Sequence, residues 1–129
     1  MLINQKLIFV LYVLMIVISC SKKTSNDNDH TPPVITIVSP LNNQQFNAGE
    51  IIQTTANVKD NDRVVELHIH VTNTTTGILL RDIHSYPGQS NATVEDSFAA
   101  EAGIRYTIKI IAYDAAHNLA TAQVDVLTN

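Results

Sequence analysis

From Gly103 to Val126 (GIRYTIKIIAYDAAHNLATAQVDV) apolar and polar residues alternate. Tyr106, Ile108, Ile110 and Ala112 fall on one face of a strand, and Arg105, Thr107 and Lys109 on the other. Asp114-Ala115-Ala116-His117-Asn118 is turn chemistry, followed by a second run with Ala120, Ala122, Val124 and Val126 against Thr121, Gln123 and Asp125. Two such strands form a hairpin. A lone hairpin is marginal in water, so this one needs a second apolar face to cover it.

The preceding residues supply that face. Val34 to Val38 is a short run with prolines at both ends, which suits an edge strand. Asn42 to Gly49 is a polar loop with Phe46 as a plug. Glu50 to Lys59 alternates, with Ile52, Thr54, Ala56 and Val58 on one face, and Asp60-Asn61-Asp62 then turns the chain. Arg63 to Thr72 is the clearest strand, with Val65, Leu67, Ile69 and Val71 inward and Glu66, His68 and His70 outward. Asn73 to Gly77 is a loop, Ile78 to Tyr86 a less regular strand, and Pro87-Gly88 a break. Ala92, Val94, Asp96 and Phe98 share the inner face of the next strand, where Asp96 is a charge with no visible partner. About seven strands with no helix beyond one turn at Ala99–Ala102 predict an all-β, antiparallel β-sandwich.

The N-terminus follows a different pattern. One lysine, Lys6, precedes an unbroken apolar run from Leu7 to Ile18. That run is shorter than the ~20 residues of a spanning helix and matches the core of a secretory signal. Its close, Val17-Ile18-Ser19-Cys20, resembles the bacterial lipobox. The resemblance implies cleavage after Ser19, a lipid on Cys20, and a membrane partner reached through that anchor. Ser21 in place of Asp is similar to lipoproteins sent to the outer membrane. Ser21 to Pro33 lacks apolar periodicity and reads as a flexible tether, at most roughly 45 Å long when extended. The expected organisation is a signal peptide over 1–19, lipidated Cys20 and linker over 20–33, and one domain over 34–129.

Beyond Cys20, seven Lys/Arg stand against twelve Asp/Glu, a net of −5 without a basic stripe. A nucleic-acid partner therefore has no electrostatic footing. Cys20 is the only cysteine, so no disulfide can form within the chain and the domain rests on packing alone. No nucleophile motif or glycine-rich phosphate loop appears. Ser85, His84 and Asp82 are sequence neighbours, but alternate strand positions point to opposite faces and cannot form a triad locally. The expectation is a non-enzyme without a cofactor. Few aromatics remain outside the leader and core, which disfavours a carbohydrate platform, although an envelope protein or glycan stays open as partner.

PPVITIVSP with the later F.AGE.I, and Y.I.I.AYDAA.N.A.A.V.V, resemble the Ig-like domains of bacterial surface and secreted proteins, over roughly Pro32 to Leu127. The resemblance implies an Ig-like sandwich of about seven strands and places Tyr106 at a tyrosine corner, its hydroxyl bonded to backbone. Both antibody cysteines and the strand-C Trp are missing, and His117 stands where glycine is usual in the bacterial repeats.

Two groups of residues merit attention as metal ligands. His68 and His70 project from one strand face. If Thr72 pairs with Ile78, then His70 faces Leu80, His68 faces Asp82 and Glu66 faces His84. That register gathers Glu66, His68, His70, Asp82 and His84, enough ligands for zinc or copper. A one-residue slip disperses them, and the plain alternative is a polar sheet face. Asp60, Asp62 and Asp114 sit in loops at the end where the chain enters, a donor set for calcium, or else ordinary turn residues. The sequons at Asn73 and Asn91 are read as loop residues.

Overall fold

The computed structural model describes residues 28–129. The leader and Cys20 lie outside the described residues. Seven strands follow in order: β1 (Val34–Ser39), β2 (Gln44–Phe46), β3 (Ile51–Asn73), β4 (Leu79–Ser85), β5 (Gln89–Ala99), β6 (Arg105–Asp114) and β7 (Leu119–Thr128). The first half of β3 pairs with β1 and β5, and the second half with β4 and β6. β7 adds to β6, and β2 adds to β7 in parallel, the one departure from an antiparallel plan. The long strand thus belongs to two layers, and their inner faces close on each other as a β-sandwich.

The expected alternation holds where both faces are set by packing. Ile52, Thr54, Ala56 and Val58 are buried, as are Leu67, Ile69 and Val71. Facing them are Tyr106, Ile108, Ile110 and Ala112, with Ala92 and Val94 from β5. Tyr106 forms the expected corner: its ring packs edge-on to Phe98, and its Oη accepts the Glu101 N–H at 2.9 Å. β1 is an edge strand paired only with β3.

In the middle of β3 one expectation holds and one needs correction. Asp60-Asn61-Asp62 does turn the chain: Asp60 Oδ1 accepts the Asp62 N–H at 2.9 Å, and β3 folds back there from one layer to the other. Ile52, opposite Phe98, and Asn73, opposite Tyr106, therefore lie at the same end of the sandwich. Pairing with β5 is interrupted between Lys59 and Val64, and pairing with β6 shifts between Val64 and Glu66. That bulge changes the phase of the strand. Val64 therefore enters the core, while Val65 is only half-buried. Phe46 does plug the core edge, but from a short strand rather than a loop.

Asp96, unexplained by its own strand, is answered across the sandwich. Arg81 of β4 donates from Nε and Nη2 to its two carboxylate oxygens, both at 2.8 Å. The same guanidinium lies over the Phe98 ring, 5.8 Å from its centre. Hydrogen bonding to Asp96 holds Arg81 above its ordinary pKa. Planar two-point pairing of this kind fixes direction as well as charge, and here it ties the free edges of the two layers.

The inward assignment has a direct check. Ile110→Ala should cost about 2–5 kcal/mol, as other buried Ile and Leu truncations do. Lys109→Ala, one residue along on the outer face, should change stability by less than about 0.5 kcal/mol. Denaturant unfolding that showed equal losses would contradict this register.

Candidate functional site

Two clusters emerge, one on a sheet face and one at an end of the sandwich. The first is built by β3 and β4. Alternation places Glu66, His68 and His70 on the outer face of β3, and Asp82 and His84 on the same face of β4. The pairing is His68 with His84 and His70 with Asp82. It differs by two residues from the hairpin register expected from the loop. One residue of the difference comes from the loop, since Thr72 pairs with Leu79 and not Ile78, and the other from Leu80, an extra residue between Leu79 and Arg81, opposite Val71. A shift of two preserves the face, so all five expected residues meet.

Three imidazoles surround one carboxylate oxygen. Asp82 Oδ1 lies 3.1 Å from His84 Nε2, 3.3 Å from His70 Nε2 and 3.6 Å from His68 Nδ1. The His68 and His84 ring centres are 4.1 Å apart. His68 Nε2 is 2.9 Å from Glu66 Oε1, while its Nδ1 is buried without a hydrogen-bond partner among the described residues. On the β6 side, Tyr113, Ile111 and Lys109 stand opposite Glu66, His68 and His70. These neighbours leave His68 only 14% exposed, whereas His84 is 42% exposed. Lost hydration raises the Asp82 pKa, but the hydrogen bond from His84 and the charges of His84 and His70 outweigh it, so the carboxyl sits below its ordinary value. Its stabilising effect is therefore present above the usual carboxylate range and is lost as pH falls through the depressed value.

The second cluster lies where the chain enters the sandwich. Asp114 is fully buried. Its Oδ1 accepts the Ala116 and Asn118 N–H groups at 2.9 and 2.7 Å, and its Oδ2 accepts Asn118 Nδ2 at 2.7 Å. The Asn118 amide also donates to the Asp29 carbonyl at 3.0 Å. Asn61 Nδ2 donates to the Asp29 carboxylate at 2.8 Å. One carboxylate oxygen each from Asp29, Asp60 and Asp114 lies within 4.8 Å of the others, and buried Asp60 Oδ2 has no hydrogen-bond partner. Oxygen donors of this kind suit a hard cation. The expected trio changes in one member: Asp62 gives Asp60 Oδ1 its backbone N–H at 2.9 Å and not its carboxylate to the group, and Asp29 takes the third place. Nothing local in the sequence marks Asp29, whose partner Asn118 is 89 residues away. The backbone N–H of Thr31 and the Asn61 amide hold the Asp29 carboxyl below its ordinary pKa.

With this geometry in place, comparison with known proteins defines the class. Residues 33–110 match the bacterial Ig domain family, and the chain belongs to it. No curated protein matches in sequence. Among solved structures, the chain is similar to fibronectin(III)-like modules of Clostridium thermocellum CbhA, with 19% identity and a TM-score of 0.54 over 76% of this chain. It spans only 47% of that structure. It is also similar to superoxide reductase (neelaredoxin) from Ignicoccus hospitalis, with 14% identity, a TM-score of 0.52, and coverage of 77% of this chain and 81% of that one. At such identities the likeness is one of fold alone.

The turn at the entry end can be probed through His117. Its φ of 66° is the left-handed conformation that glycine adopts freely. That accounts for glycine at this position in the bacterial repeats. His117→Gly should leave stability at or above wild type, while His117→Val should cost about 1–2 kcal/mol. Thermal unfolding of the pair checks this, and a Gly variant less stable than the Val variant would contradict it.

Proposed function

We propose that this chain is a lipid-anchored module of the bacterial envelope, a non-catalytic Ig-like domain that binds or braces another envelope component. The observation that carries the reading is the clamp on Asp29. With Asp29 bonded to Asn61 and Asn118, the domain is reached eight residues after Ser21, and the chain enters beside the β6–β7 turn. The residues between Cys20 and Asp29 can bridge at most about 30 Å. A lipid on Cys20 would hold the sandwich near the bilayer with its entry end toward the membrane.

The opposite end then faces away. Pairing of Asn73 with Tyr106 places the β3–β4 and β5–β6 loops there. Among the described residues nothing covers the outer face of β1, β3 and β5, which carries a shallow groove lined by Val34, Thr36, Asn57, Lys59, Asn91 and Thr93. This mixed, aromatic-free surface supports a protein partner better than stacked sugar rings.

Fractionation tests the anchor. Cys20→Ala should move the protein out of the membrane fraction or stop its maturation. A variant that fractionates and migrates like wild type would overturn the reading.

A further inference from the structure

His68 carries an unusual constraint. If Nε2–H donates to ionised Glu66, then Nδ1 is a bare lone pair, buried and aimed at a second carboxylate oxygen 3.6 Å away. Two acceptors facing each other repel unless a proton or a metal cation lies between them. His70 Nε2 and His84 Nε2 approach the same Asp82 oxygen. We infer that His68 Nδ1, His70 Nε2, His84 Nε2 and Asp82 Oδ1 form a binding site for a divalent transition metal, best suited to zinc, on the outer face of β3 and β4.

Three features support the assignment. The first is spacing. Donors around tetrahedral zinc with ~2.1 Å bonds stand about 3.4 Å apart. The three imidazole nitrogens lie 3.1, 3.3 and 3.6 Å from Asp82 Oδ1, and ligand atoms of His68, His70 and Asp82 all lie within 4.8 Å of one another, so side-chain rotation without backbone movement can bring the donors onto one ion. The second is donor type: imidazoles with one carboxylate suit zinc, and a hard ion such as calcium prefers oxygen alone. The third is Glu66, which sits on the nitrogen of His68 that the metal does not use. A carboxylate there fixes the ring and makes the ligating nitrogen more basic. Glu66 is therefore a positioning residue, not a ligand. The backbone adds rigidity, because all five residues lie on paired strands and none on a loop. With His84 and Asp82 partly exposed, the ion has direct access from solvent, which fits a site that takes up and releases metal.

The assignment extends beyond the envelope-module reading and does not depend on the lipid. Isothermal titration calorimetry of zinc chloride into the full chain, in detergent and freed of metal by chelator, is the test. We expect one zinc per chain with a Kd below about 10 µM. His68→Ala with His70→Ala should weaken binding by at least about 100-fold, and Glu66→Gln by about 10-fold, each with an unchanged far-UV spectrum. His30→Ala with His117→Gly, which alters the two histidines outside the cluster, should bind as wild type does. Should the double alanine variant lose its strand spectrum, Asp82→Asn replaces it, with the same expected loss. Wild-type affinity weaker than this bound, binding that survives these cluster substitutions, or binding lost in Asp60→Asn at the other cluster would overturn the proposal.

Discussion

The dependence of both layers on one strand governs this molecule. β3 runs for 23 residues, and its hydrogen bonds serve β5 and β1 before the crossing and β6 and β4 after it. A buried chain must place every backbone N–H and C=O on a neighbour, and β3 does so by folding back at Asp60–Asp62 and taking new partners in the second layer. The change is absorbed by the bulges around Lys59 to Glu66. Without them the inner face of one half would become the outer face of the other. The Tyr106 corner and the Arg81–Asp96 pair then close the sides that β3 does not reach.

Much of this was legible because burial on one face leaves a period of two in the sequence. The core faces of β3, β6 and β7 follow from that period, and so does the grouping of histidines on the outer face. What escaped was long-range or local to a bulge. Asp96 looked misplaced because its partner Arg81 sits on another strand, 15 residues earlier. Strict alternation from Arg63 to Thr72 puts Val65 inward, and the bulge between Val64 and Glu66 breaks that alternation. The β3–β4 register depends on a loop one residue longer than expected and on the extra residue Leu80, and no alternation rule reveals either among three neighbouring aliphatics. The histidine cluster survived that error only because the difference was two residues. Asp29 escaped because a polar stretch ahead of a domain looks the same whether it is docked or free.

The two clusters divide the surface between them. The carboxylates and their amide partners sit at the end where the chain arrives, so they fix where it joins the sandwich. The histidines lie on the face of β3 and β4, away from the groove over β1, β3 and β5. A partner could occupy that groove or the far loops without covering the histidines. Metal capture and partner binding are therefore compatible on one small sandwich. The bacterial Ig fold supplies rigid strands for both and specifies neither.

Everything said of the histidine face rests on how β4 lies against β3. Cross-strand proton contacts in a nuclear Overhauser spectrum report that alignment directly. The account requires backbone contacts of His68 with His84 and of His70 with Asp82. Contacts placing His68 opposite Ile83 or Ser85 would turn Asp82 and His84 to the other face and contradict it.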